Sequence, residues 1–135
     1  MTVALLWALS GCTPTIELYA LELSGEIVAD GSGPVTLEVY ADWVGVGELR
    51  HPLGELERFA LDGPGPFEVS LFVPGEVTGL VAYAWQDLDG DDVLCGLGAE
   101  PEPAGLTPLE GYPSHQLDVS LTLDTECVGP EALFP

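Results

Sequence analysis

The sequence predicts an all-β domain, an antiparallel sandwich of about seven short strands. Three observations predict it: apolar residues alternate with polar ones in several runs, Gly and Pro punctuate the chain between those runs, and a 3.6-residue period is almost absent.

Residues 16–28 (IELYALELSGEIV) read as the first strand, with a change of apolar parity near Ala20 and Leu21 that predicts a bulge or bend there. The turn DGSGP at residues 30–34 follows. Val35, Leu37, Val39, Ala41 and Trp43 then alternate with Thr36, Glu38, Tyr40 and Asp42, the pattern of a half-buried strand. Residues 48–61 carry one or two weaker strands, and the turn DGPGP closes them at residues 62–66. Phe67, Val69, Leu71 and Val73 repeat the alternation, and so do Leu117, Val119, Leu121 and Leu123. Residues 80–85 (LVAYAW) are apolar on both faces, which predicts a central strand covered on both sides. Trp85 and Trp43 fall on strand positions where burial is the favoured reading; exposed, they would stack on sugars.

The chain has 135 residues and no internal repeat, so a single domain over residues 16–135 is expected. Asp and Glu number 23 against two basic residues, Arg50 and Arg58, for a net charge of −21. Such a field repels nucleic-acid phosphates and anionic headgroups and attracts cations, so no nucleic-acid partner is expected. A hydrophobic fraction of 47% argues for a packed core rather than disorder.

At the amino terminus, residues 3–9 (VALLWAL) form an apolar run too short to span a bilayer and long enough for a signal sequence. Leu9-Ser10-Gly11-Cys12 follows and resembles the bacterial lipobox. The resemblance implies a lipoprotein signal peptide at residues 1–11, acylation of Cys12, a short tether at 12–15, and a partner that is the membrane itself, reached through the lipid. It implies a place in the bacterial cell envelope, facing the periplasm or the cell surface. By lipoprotein sorting rules, the absence of Asp at position 13 favours the outer membrane over the inner. Residues 1–11 lack the Lys or Arg that normally opens a signal peptide; the competing reading is a buried first strand and an ordinary core thiol at Cys12.

With Cys12 acylated, Cys95 and Cys127 remain as an even pair in a compartment that permits disulfides. A bridge between them is expected, with two separate buried thiols as the alternative.

One constellation carries chemistry. In QDLDGDD, Asp87, Asp89 and Asp91 stand at relative positions one, three and five, a spacing that curls carboxylates around a hard cation. It resembles the calcium loops of EF-hands and of related bacterial loops without flanking helices. It departs from them in that Gly90 precedes Asp91, Asp92 fills position six, and position twelve is Gly98. Asp87, Asp89, Asp91, Asp92 and Glu100 are therefore the candidate ligands, Glu100 only if the loop is longer, and Ca²⁺ is the candidate ion. A solvated Asp/Gly turn without an ion is the competing reading. The stretch from AYAWQDLDGDD to Gly98-Ala99-Glu100-Pro101 also resembles small exported sandwich domains of the transthyretin-like or prealbumin-like type; an immunoglobulin-like arrangement is the other form considered.

His51 and His115 have no sequence partner, and neither a nucleophile elbow nor an activated cysteine is present. The expected function is a non-catalytic acidic binding or structural module on an anchored lipoprotein, its protein or glycan partner unspecified. The alternative is a small carbohydrate-active or hydrolytic accessory domain that uses Asp87, Asp89 and Glu100 in acid/base roles.

Overall fold

A computed structural model describes residues 17–42, 52–97 and 100–134. The leader, Cys12 and its tether, Trp43, Arg50 and His51 lie outside the described residues.

Two sheets face each other. The smaller has the order β4-β1-β7, built from β1 (Leu18–Val28), β4 (Gly65–Pro74) and β7 (Gln116–Thr122). The larger has the order β3-β2-β5-β6-β8, built from β2 (Val35–Asp42), β3 (Gly54–Leu61), β5 (Gly79–Gln86), β6 (Pro103–Pro108) and β8 (Thr125–Glu126). Every pairing is antiparallel except β1 with β7, which is parallel. The all-β sandwich is thus present, with a mixed small sheet. A short helix, α1 (Pro130–Leu133), follows β8.

Alternation dictates what goes inside. Leu21, Leu23 and Ile27 of β1, Leu71 and Val73 of β4, and Leu121 at the end of β7 point inward from the small sheet. They meet Val35, Leu37, Val39 and Ala41 of β2 and Leu80, Ala82 and Ala84 of β5. Full burial of each large aliphatic side chain here contributes about 1.5–3 kcal/mol. The parallel contact of β7 with β1 requires Gly25. Its φ is +154°, and a Cβ there would lie 1.7 Å from the Val119 carbonyl oxygen.

The bulge expected in β1 is not there: its register with β4 runs unbroken from Leu18↔Pro74 to Ile27↔Gly65. Odd-numbered residues face the core throughout, and the parity change in the sequence comes from Leu18, Ala20 and Val28, which are apolar yet exposed. The irregularity sits between β2 and β3, where Val39 pairs Glu57 and Tyr40 pairs Glu55. The extra residue brings Glu55 and Arg58, three apart and so on opposite faces of a regular strand, onto one face, where they pair at 3.1 Å.

Strand β5 is covered on both sides, as its composition predicts. Val81, Tyr83 and Trp85 face away from the main core and form a second cluster with Tyr40 and Ala104. Leu133 and Phe134 of the C-terminal segment and Leu94 pack over it. Trp85 is therefore buried, but under the C-terminal segment rather than between the sheets. Hydrogen bonds help to hold that cover: the Tyr83 hydroxyl donates to the Val128 carbonyl at 2.8 Å, and the Leu53 N–H donates to Glu131 Oε1 at 2.6 Å.

On the same outer face, Glu38 is buried at 4% exposure. Its Oε1 accepts from the Tyr40 hydroxyl at 3.1 Å and from the Arg58 guanidinium at 2.8 Å. Burial still dominates, and it raises the Glu38 carboxyl above the ordinary range.

Candidate metal centre

The acidic loop begins where β5 ends. Gln86 is fully buried, and its Nε2 donates to the Gly31 and Gly33 carbonyls at 3.1 and 3.3 Å; the Asp87 N–H donates to the Pro34 carbonyl at 2.9 Å. The first acidic residue is thereby fixed to the turn that precedes β2. From there the chain curls over its own carboxylates. Asp87 Oδ1 accepts the Gly90 N–H and Oδ2 the Asp92 N–H, both at 2.9 Å. Asp89 Oδ1 accepts the Asp91 N–H at 3.2 Å, and Asp91 Oδ1 accepts the Val93 N–H at 3.0 Å. Gly90, at φ +75°, and Asp92, at φ +59°, supply left-handed residues that the curl needs.

The loop closes on Glu102, which has no exposed surface. Its Oε2 accepts the Leu88 N–H and its Oε1 the Cys95 N–H, each at 2.7 Å. Its carbonyl accepts the Cys127 N–H at 3.0 Å, and Cys95 is bridged to Cys127 with a Cα–Cα distance of 5.5 Å. The expected disulfide is present, and it fastens the end of the acidic loop to the C-terminal segment beside β8.

Asp87, Asp89, Asp91 and Glu102 each offer a carboxylate oxygen, and these oxygens lie within 4.8 Å of one another. This cluster could hold a metal ion. A carboxylate oxygen has two lone pairs, so accepting a backbone N–H leaves one for a cation. The charges show what such an ion would relieve. Asp91 facing Asp89, with some desolvation, pushes the Asp89 carboxyl up to about 6. Burial also presses upward on Asp87, but the N–H groups of Asp92 and Gly90 and its neighbours in the cluster outweigh it and hold its carboxyl below the ordinary value.

Three of the five ligand candidates from the sequence, Asp87, Asp89 and Asp91, are brought together as their spacing predicts. Asp92 and Glu100 are exposed and stand outside the cluster; Asp92 contributes its backbone N–H to Asp87 instead. Their place is taken by Glu102, which lies two residues after Glu100. No local spacing signals it: Glu102 directly precedes β6, which pairs with β5 and β8, and it meets the loop through the Leu88 and Cys95 N–H groups.

Away from this loop, an open depression of about 340 Å³ lies on the outer face of the small sheet, lined by Glu22, Ser24, Glu68, Gln116, Leu117 and Asp118, with no aromatic wall. His115 is exposed and stacks on Tyr19 at 4.3 Å, with one ring nitrogen 2.8 Å from the Ala20 carbonyl. Among the described residues no helix is long and apolar enough to cross a membrane.

Compared with protein families and with curated proteins, the chain matches none. Among solved structures it is similar to an alternative pilotin from the type II secretion system of Vibrio cholerae, at 15% identity and a TM-score of 0.47, over 84% of this chain and 100% of that one. The likeness is distant, and the functional reading rests on the chain's own residues.

Proposed function

We propose that this protein is an exported lipoprotein, held to the bacterial envelope through acylated Cys12, whose acidic sandwich is a non-catalytic binding or structural module stabilised by Ca²⁺. The observation that carries this reading is Glu102, which joins a four-carboxylate cluster to a disulfide in one hydrogen-bonded unit. Disulfides persist in oxidising, extracytoplasmic compartments, and all-oxygen donor sets suit hard cations. The lipobox-like Leu9-Ser10-Gly11-Cys12 supplies the anchor, and Thr13 in place of Asp favours the outer membrane. In this reading Asp87, Asp89, Asp91 and Glu102 hold the ion, and the ion cancels the repulsion that otherwise loosens the loop.

Two measurements test the two halves separately. Fatty-acid labelling should mark the wild type and spare Cys12→Ala; equal labelling of both rejects the anchor. Calorimetric titration with Ca²⁺ should show one saturable site that Asp89→Ala abolishes, and heat that is the same in both proteins rejects the metal centre.

A further inference from the structure

We propose that the end of the small sheet where β1 begins is a bilayer-contact surface, with Leu18, Ala20 and Phe72 resting on the interfacial zone of a zwitterionic membrane. The inference deepens the lipoprotein reading and rests on it.

Phe72 is 66% exposed and Leu18 is 58% exposed. Such exposure of single apolar residues is ordinary, but their placement is not scattered. Ala20 pairs directly with Phe72, and Leu18 pairs with Pro74 on the adjoining rung, so these side chains share one outer face at one end of the sheet. Along the same face the character then changes. The next rungs are Glu22 with Ser70, Ser24 with Glu68 and Glu26 with Pro66, flanked on β7 by Gln116, Asp118 and Ser120. The paired apolar group sits at the end at which the chain enters β1; Val28, exposed at the far end of the same face, pairs with Thr122 rather than with an apolar residue.

That end is also where the lipid would be. Cys12 lies six positions before Leu18, a span of at most about 22 Å when fully extended. The tether is therefore too short to hold Leu18 far from the headgroups. Tyr19 sits at the same end on the core side of β1, edge-on to Tyr112 at 5.8 Å and stacked on the exposed His115. The opposite end carries the acidic loop: β1 finishes at Val28, the following turn leads to Val35, and Val35 pairs with Gln86 immediately before Asp87. The carboxylate cluster thus lies at the other end of the domain from the paired Leu18, Ala20 and Phe72, with Val28, Leu88, Val93 and Leu97 as separate exposed apolar residues at or beside that end.

Charge selects the membrane. Glu17, Glu22 and Glu76 rim the apolar group, so an anionic surface would repel it and a zwitterionic one would not. Contact at this end would hold the candidate metal centre away from the bilayer, where a partner can reach it.

The test uses the full-length acylated protein in phosphatidylcholine vesicles that contain brominated lipid, with tryptophan emission as the readout. Phe72→Trp is compared with Glu68→Trp, which lies farther along the same face and whose loss of charge would favour membrane approach. Vesicle flotation and the mass of the Cys12 peptide report the anchor independently. The expected result is quenching about twofold stronger at position 72 than at position 68, above the shared background of Trp43 and Trp85. Equal quenching in floated protein overturns the contact surface and leaves the anchor standing. A blue-shifted but unquenched tryptophan at 72 also overturns it, because protein rather than lipid then covers the patch. Protein that stays with the soluble fraction and carries an unmodified Cys12 removes the anchor reading and this surface together.

Discussion

Glu102 accepts the Leu88 N–H at 2.7 Å, a bond between residues 14 apart that pins the start of the acidic loop to the strand leaving it. With its other oxygen on Cys95, Glu102 serves donors at both ends of the loop, and it does so without any exposed surface. Glu102→Gln keeps the shape and replaces one acceptor by a donor. One buried N–H then faces an NH₂ group, at a cost of about 1–3 kcal/mol. Thermal unfolding should show that loss with and without Ca²⁺, and unchanged stability in the variant would mean that the two bonds do not hold the loop.

Calcium should raise the melting temperature of the wild type. At about one hundred times its dissociation constant, an ion bound only by the folded state stabilises by about 2.7 kcal/mol. For a domain of this size that corresponds to a shift of about 10 °C. Asp89→Ala should remove the shift, because Asp89 belongs to the cluster; Glu100→Ala should keep it, because Glu100 does not. A shift lost in Glu100→Ala and retained in Asp89→Ala would invert the ligand assignment.

The raised carboxyl of Asp89 gives the metal-free loop a definite pH response. Its folded value of about 6 lies above the ordinary 3.8, so the folded state binds the proton more tightly than the unfolded one. That favours folding below about pH 3.8 and is lost as the pH rises through about 6. In chelator, Asp89→Asn should therefore melt higher than the wild type near neutral pH, and the two curves should converge at low pH. In Ca²⁺ the order should reverse, since the variant has given up a ligand. If the wild type is the more stable protein in chelator at neutral pH, repulsion between Asp89 and Asp91 is not what strains the loop.

The legible parts of this molecule were those in which one physical pattern acts alone. Alternation located β2, β4 and β7, each with its apolar positions against the core, and a run apolar on both faces located β5, which is covered on both sides. Alternation placed β1 but misread its interior as bulged, because Leu18, Ala20 and Val28 are apolar at outward-facing, exposed positions. It missed β6 (PAGLTP), because Pro103 and Gly105 read as loop; yet Gly105 is needed there, since a Cβ would lie 2.1 Å from the Thr122 carbonyl oxygen. The site divided in the same way. Spacing gathers Asp87, Asp89 and Asp91 because they are neighbours in one turn. Glu102 reaches them through strand pairing, which local spacing does not encode.

Reduction of the Cys95–Cys127 bridge should cost about 3–4 kcal/mol, the chain-entropy value for a loop closed across 32 residues. It should also weaken the calcium response, because Cys95 donates its N–H to Glu102. A double Cys95→Ala, Cys127→Ala variant compared with wild type in chelator separates the two effects. A variant that loses stability yet keeps the full Ca²⁺-induced shift would show that the bridge and the cluster act independently.

Glu38 is buried on the outer face of the large sheet. Burial raises its carboxyl above 4.5, against the lowering by the Tyr40 hydroxyl and Arg58. Its contribution to stability is therefore full below about pH 4.5 and is lost as the pH rises through the folded value. Arg58 is 58% exposed on its side chain and reaches a carboxylate that is 6% exposed, so solvent screens the cation more than the anion it serves. Removing it leaves the anion buried with only the tyrosine. Arg58→Ala should lose about 1 kcal/mol near neutral pH and much less near pH 4, where Glu38 carries a proton in either protein. Glu38→Gln needs no cation, so adding Arg58→Ala to it should cost little at either pH. A deficit in Arg58→Ala that stays constant across that range would show that the arginine acts by packing on β3 rather than by holding the charge of Glu38.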